Sequence, residues 1–267
     1  MEVYDILMLS GLLLLGAGFL YGDRVKHRFR ASGWILTALY WPTQAPHFLA
    51  IDDYVNAFFC IIALPAFIYL AYQEEISFRT NEDHRGLEFM AGAAFIAGLP
   101  YFIIDRFPEV AGALIYSVAK QSVWLFNLMS GESFTVLPPG YSNGELGSLV
   151  PEAKIRIVLA CTAIQSILIA AGVVLANHGI RKQKIKALVM NVTVIYGLNI
   201  FRNAGVIYLV YYKITDFETA HNTIAKTGSL IALIILLFIT FEMIPELYDD
   251  IVSLLKLPKR SIRSKKL

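Results

Sequence analysis

The chain has 267 residues, of which 57% are hydrophobic and only 16% are charged, and its mean hydropathy is +0.58. This balance is far from that of a water-soluble domain and indicates a fold whose main solvent is lipid. The formal net charge of +2 is too small to indicate a nucleic-acid partner. The basic residues cluster at the ends of apolar segments, where they report orientation in a membrane.

Seven apolar stretches are long enough to cross a bilayer, which takes about 20 helical residues. They are 4–21, 33–50, 55–72, 87–104, 155–176, 187–211 and 227–247. Pro42 and Pro46 interrupt the second stretch, so that it is either kinked or re-entrant. The expected fold is therefore all-α, a polytopic bundle of about seven transmembrane helices. We expect one transmembrane domain over residues 1–255 and a basic tail over residues 256–267.

A further helical pattern, 107–130, has apolar residues at helical spacing interrupted by Lys120, Gln121 and Asn127. This amphipathic pattern predicts an interfacial or re-entrant helix rather than a crossing. The next segment, 132–152, is rich in proline and glycine, which favours an irregular external segment covering a site.

The distribution of Lys and Arg predicts the orientation. Basic residues follow the first, third, fifth and last spans, whereas the connection 132–152 contains none. Because basic loops are retained in the cytoplasm, this pattern predicts a multi-pass cell-membrane protein with its N-terminus outside and its C-terminus in the cytoplasm.

Cys161, Arg202 and His221 are the candidate catalytic residues. In this topology, Cys161 and Arg202 lie at similar depth in the outer halves of two spans, and His221 lies in the outer connection before the last span. A guanidinium inside a bilayer is costly and suggests a functional site. A thiol in apolar surroundings is inert unless a charge such as that of Arg202 stabilises the thiolate. The imidazole of His221 could accept the thiol proton or protonate a leaving amine.

The candidate supporting residues are polar neighbours of these three groups: Thr162, Gln165, Asn199, Asn203 and Asn222. Thr162 and Gln165 would form a polar patch on the Cys161 helix that faces the bundle. Asn222 and Lys226 are alternatives for a polar or cationic role beside His221. The histidines lack metal-ligand spacing and no glycine-rich cofactor motif is present, so we expect neither a metal nor a cofactor.

Three local patterns resemble the exosortase/archaeosortase family. They are Ala160-Cys161-Thr162 with Gln165 and Ser166, Asn199-Ile200-Phe201-Arg202-Asn203, and Ala220-His221-Asn222, where family members carry His or Arg. The segments 245–249 and 257–260 resemble the archaeosortase branch. The resemblance implies a membrane cysteine transpeptidase that uses Cys161, Arg202 and His221.

The same resemblance implies the substrates. They would be exported proteins, such as archaeal surface-layer proteins, that carry a C-terminal signal made of a motif such as Pro-Gly-Phe, a hydrophobic helix and a basic tail. The enzyme would cut near the motif at the outer membrane face and support attachment of the new carboxyl end to a membrane lipid.

Two other hypotheses fit the residues alone. In the first, Arg202, Asn199, Gln165 and Glu242 line the polar route of a carrier or channel. In the second, the protein is a non-catalytic assembly factor. A carrier should tolerate Cys161→Ser, whereas an enzyme with a thiol nucleophile should not.

Overall fold

The computed structural model describes residues 3–50, 53–142 and 144–259, so residues 260–267 of the predicted tail lie outside it. The chain divides into two compact units. The first comprises Met1–Leu99, Gly172–Ile180 and Pro245–Leu267, and the second comprises Pro100–Ala171 and Arg181–Ile244. The predicted single domain over residues 1–255 stays a prediction.

Most of the described chain is helical. In chain order the helices are α1 (Val3–Leu20), α2 (Lys26–Ala50), α3 (Tyr54–Thr80), α4 (Arg85–Arg106), α5 (Pro108–Ser130), α6 (Ile164–Ala176), α7 (Arg181–Tyr211), α8 (Lys226–Met243) and α9 (Pro245–Leu254). Short 3₁₀ turns lie at Leu159–Thr162 and Leu257–Lys259, and a π-helical turn at Thr219–Ala225 leads directly into α8.

Four helices among the described residues are long and apolar enough to cross a membrane: α3, α4, α7 and the helix Thr219–Met243 that contains α8. Helices α1 and α6 are apolar but shorter. The expected polytopic helical architecture is thus present, while the count of seven crossings stays a prediction. Helix α2 continues through Pro42 and Pro46, and the expected amphipathic helix is α5.

The predicted fifth span, 155–176, is not one helix. Its first part is strand β3 (Ile155–Val158), which pairs with β2 (Glu145–Val150), which in turn pairs with β1 (Gly140–Ser142) in an antiparallel sheet. The run is mostly apolar, but Ile155, Ile157 and Val158 are β-branched and suit a strand. The expectation of an entirely helical chain was wrong here. The segment 132–152 is irregular as expected over residues 132–139, but it also contains strands β1 and β2.

A buried ionic network joins the helices of the first unit. His27 Nδ1 lies 2.6 Å from Glu74 Oε2, and His27 Nε2 lies 3.0 Å from Asp83 Oδ1. Arg30 lies between Glu74 and Glu88, at 3.8 and 3.6 Å, and its Nε donates to the Gly18 carbonyl at 2.8 Å. Glu74 is fully buried, so its charge is stabilised by these partners rather than by solvent.

The core of the second unit positions the site. Buried residues of α5, including Ile115, Ala119 and Phe126, pack in one cluster with β2, β3, Cys161 and Ala204 and Ile207 of α7. The Asn127 side chain, at the end of α5, binds both the backbone N–H and the carbonyl of Phe134. Helix α5 therefore supports both the sheet and the turn that contains Cys161.

Candidate active site

Cys161 lies in a tight turn rather than inside a helix. The 3₁₀ turn Leu159–Thr162 follows β3, and Ala163 ends it with a left-handed φ of 62°. A non-glycine residue in this conformation is strained and breaks the helical path, so α6 begins only at Ile164. Cys161 is 9% exposed and, like Cys60, is a free thiol. The prediction that Cys161 lies within a continuous span was wrong.

Two asparagines of α7 hold this turn by its backbone. Asn199 Nδ2 donates to the Cys161 carbonyl at 2.8 Å, and Asn203 Nδ2 donates to the same oxygen at 3.0 Å. The two amides are four residues apart and therefore share one face of the helix. Both are buried, so their hydrogen bonds form away from competing water. They fix the carbonyl of the residue that carries the candidate nucleophile.

The Arg202 side chain lies between Asn203 and His221. Its Nη1 lies 3.4 Å from Asn203 Oδ1, and its Nη2 lies 3.5 Å from His221 Nδ1. A guanidinium has only donors, so Nδ1 of His221 is the acceptor in this contact. In the neutral ring the proton is then on Nε2, which makes that nitrogen a hydrogen-bond donor.

His221 lies in a π-helical turn, not in a loop. The turn is continuous with α8, and the imidazole stacks on the ring of Phe217 with centroids 5.2 Å apart and planes 12° apart. Asp216 accepts hydrogen bonds from the backbone N–H and the hydroxyl of Thr219, at 2.8 and 2.9 Å. These bonds to Thr219 lower the pKa of the Asp216 carboxyl and fix the start of the helix that carries His221.

Cys161 and His221 line one small cavity of about 20 Å³, together with Asn203, Phe217 and residues of β3. This volume is enough for one water molecule. A larger cavity of about 290 Å³ is lined by Ala160 and Ala163 of the same turn region, together with Arg202 and Asn199. Arg202 thus contacts His221 but lines the second cavity, not the small one.

The remaining candidate residues are placed differently. Thr162 is buried and donates to the Leu159 carbonyl at 2.7 Å, which closes the turn. Gln165 and Asn222 are exposed and are not among the described residues that line either cavity. The predicted inward-facing polar patch was wrong for Gln165, because no helix connects it to Cys161. Glu242, which the carrier hypothesis needs on a polar route, is also exposed and lines neither cavity.

Sequence reasoning missed two parts of the site. Phe217 precedes His221 by four residues, and this spacing on a helix would have indicated the ring stacking. Asp216 and Thr219 match a helix N-cap pattern, which would have indicated that a helix begins just before His221. Within the described ranges, no three His, Cys, Asp or Glu side chains form a set that could hold a metal ion.

The fold and this site define a class: polytopic membrane proteins in which a buried cysteine and a histidine line one small cavity and an arginine contacts the histidine. A family model described as transmembrane exosortase matches residues 5–241. The chain belongs to the transmembrane exosortase family, and the family resemblance read from the sequence is confirmed.

Two curated relatives are similar to the chain. Archaeosortase A of Haloferax volcanii is 30% identical over 213 residues, which cover 74% of this chain and 69% of the relative. Archaeosortase A of Natronomonas pharaonis is 24% identical over 257 residues, which cover 86% and 80%. No solved structure matches the chain significantly.

Proposed function

We propose that this protein is a membrane cysteine transpeptidase of the archaeosortase kind, with Cys161 as its nucleophile. The observation that carries the proposal is the doubly anchored Cys161 turn, whose thiol lines the same cavity as the imidazole that Arg202 contacts. Family membership and the two similar archaeosortases support the reaction class. A carrier needs neither a positioned thiol nor a strained turn beneath it.

The chemistry follows from these groups. The sulfur of Cys161 attacks the carbonyl carbon of the scissile peptide bond, the C–N bond breaks, and the thiol proton ends on the departing amine. Arg202 acts through His221: its contact with Nδ1 orients the ring, so that Nε2–H donates to the tetrahedral intermediate. A second nucleophile, a lipid group or water, then attacks the thioester and releases the sulfur.

The substrates, in this proposal, are exported proteins with a C-terminal signal made of a Pro-Gly-Phe-type motif, a hydrophobic helix and a basic tail. The cut falls near the motif at the outer membrane face, and the new carboxyl end is joined to a membrane lipid. A substrate helix lying in the bilayer would hold its scissile bond at the site and raise its effective concentration.

The test is to trap the acyl-enzyme. Purified protein in lipid nanodiscs is mixed with a peptide that carries the complete signal, and intact mass is measured before and after hydroxylamine treatment. The expected result is an adduct on Cys161 that hydroxylamine releases, together with complete loss of cleavage in Cys161→Ala and Cys161→Ser. Cys60→Ala is the matched control, because Cys60 is the buried free thiol of the first unit and should not affect cleavage.

Cleavage that persists in folded Cys161→Ala would contradict the enzymatic proposal. The proposed orientation has its own test, in which a cysteine-free variant receives a single new cysteine near the C-terminus. Labelling of that residue in intact cells by an impermeant reagent would place the tail outside and contradict the cytoplasmic C-terminus.

A further inference from the structure

The larger cavity beside the Cys161 turn has one charged end and one apolar wall. Arg202 of α7 and Lys226 at the start of α8 line the charged end, while Leu198, Leu233 and Leu236 line the wall. Its volume of about 290 Å³ is at the lower end of the range for small-molecule sites. Among the described residues that line it, none is acidic. The cavity therefore suits a ligand with an anionic head and a hydrocarbon tail.

The cavity opens on a face that lipid would cover. Its lining residues Leu198 and Leu230 are 47% and 59% exposed, and α8 carries a run of exposed Ile, Leu and Phe side chains. A helix that is apolar on nearly all sides is suited to a membrane interior. A hydrocarbon chain can thus reach the wall from the bilayer without crossing water.

Small side chains of α8 leave space between α7 and α8 at this cavity. Ser229 and Ala232 of α8 line the cavity, and they also line a second one of about 310 Å³ that shares Leu198 and Arg202. The gap between α7 and α8 is therefore room that a ligand can occupy.

We propose that this cavity binds a membrane lipid, with its phosphate between Lys226 and Arg202 and one chain along Leu198, Leu233 and Leu236. Paired Arg and Lys side chains are well suited to phosphate, which accepts several charge-assisted hydrogen bonds. A purely apolar peptide helix would leave Lys226 without a counter-charge.

The lipid site is separate from the cavity that holds the candidate nucleophile: Ala160 and Ala163 line it, whereas Cys161 lines the small cavity with His221.

The experiment measures lipid binding in the Cys161→Ala background, where no turnover occurs. Delipidated protein in detergent is titrated with phosphatidylglycerol or with diacylglycerol of the same chains, and bound lipid is counted by native mass spectrometry. We expect tighter binding of phosphatidylglycerol. Lys226→Gln should weaken it about tenfold, the usual effect of losing a charged hydrogen bond, with little change for diacylglycerol.

Two further variants serve as controls. Lys120→Gln removes the same charge from α5, where Lys120 is exposed and lies over the Tyr116 ring, and should leave binding unchanged. Ala232→Phe fills the gap and should weaken both lipids, and its thermal unfolding in detergent shows whether the fold is intact.

Equal affinity for the two lipids, or an unchanged affinity in Lys226→Gln, would overturn the lipid site. Displacement of the lipid by an uncharged apolar helical peptide would reassign the cavity to a protein substrate. Full competition by glycerol phosphate at the same concentration as the lipid would show that the chain is not bound and would also overturn the assignment. Since these results come from a variant without the thiol, they are independent of whether the wild-type protein cleaves peptides.

Discussion

Asn199 donates a hydrogen bond from its side-chain amide to the backbone carbonyl of Cys161, 38 residues earlier in the chain, at 2.8 Å. Asn203, one turn further along α7, donates to the same oxygen at 3.0 Å. Helix α7 therefore fixes the backbone of Cys161 directly, and it also carries Arg202, one residue before Asn203. The candidate nucleophile and the candidate cation are fixed to one rigid element.

Replacement of Asn199 by Leu should lower turnover by about two- to tenfold. The Cys161 carbonyl keeps the hydrogen bond from Asn203, so the loss is that of one hydrogen bond, about 0.5–1.5 kcal/mol, and each 1.36 kcal/mol in a transition state is a factor of ten in rate. The change should appear in kcat more than in KM, because the reacting sulfur moves while the rest of the site remains. Steady-state cleavage of a signal peptide by purified protein measures it.

Asn191→Leu is the matched control for this substitution. Asn191 is also buried on α7, but it bonds the Ala187 carbonyl and the Thr240 hydroxyl, at 2.8 and 3.0 Å, away from the site. We expect it to lower thermal stability while leaving kcat per folded molecule near the wild-type value. A similar loss of kcat in both variants would mean that Asn199 acts only on stability.

Substitutions of His221 should distinguish a donor from a general base. If Nε2–H acts as a donor, His221→Gln and His221→Arg keep a donor and should retain measurable turnover, whereas His221→Phe should lose more than about a hundredfold, the lower range for a lost catalytic group. If His221 instead acts as a general base, all three variants should lose turnover to the same extent. The comparison is made on cleavage rates at several pH values, with folding checked by size-exclusion chromatography.

The sequence predicted the helices well and the local geometry of the site poorly. The runs around α3, α4 and α7 have the length and apolar content that only membrane helices need, so their existence followed from composition. The run 155–176 has the same composition, yet it contains β3, a turn and α6. Hydropathy measures only the apolar character of the side chains. It does not show whether the backbone of a run forms hydrogen bonds within a helix or with a neighbouring strand.

Asn199 and Asn203 were expected as supporting neighbours of the candidate catalytic residues, and Asn203 Oδ1 lies 3.4 Å from Arg202 Nη1. The hydrogen bonds of Asn199 and Asn203 to Cys161 were not predictable, because a sequence assigns no position to a backbone carbonyl distant in the chain. Gln165 was misplaced for a related reason. Its predicted face depended on a helical path from Cys161 that the left-handed Ala163 interrupts.

The Asp216 cap should influence activity through the position of His221. Asp216→Asn weakens the acceptor of the Thr219 hydrogen bonds, so the helix start becomes looser and turnover should fall severalfold. The hydrogen bonds from Thr219 lower the pKa of Asp216 below its ordinary value of about 3.9. Its stabilising effect is therefore complete above that value and is lost only as pH falls through the lower folded-state pKa.

The ratio of wild-type to Asp216→Asn turnover should accordingly be constant between about pH 5 and 8. Glu218→Gln is the control, because it removes the same charge from an exposed neighbour without removing the cap. A ratio that falls towards one at pH 5 would show that Asp216 already titrates there and that the cap is not charged as the geometry requires.

Glu74 and Glu75 are adjacent in the first unit, but Glu74 belongs to a buried ionic network and Glu75 to an exposed ion pair. Glu74 is fully buried against His27 and Arg30, whereas Glu75 forms an exposed i,i+4 pair with Arg79 at 2.6 Å. Glu74→Gln removes the buried carboxylate that His27 and Arg30 share, while Glu88 stays near Arg30, and should destabilise the protein by about 1–3 kcal/mol. Glu75→Gln breaks a surface pair and should cost about 0.3–0.5 kcal/mol. Thermal unfolding in detergent measures both, and equal shifts would mean that water or lipid headgroups screen the Glu74 network as effectively as they screen the surface pair.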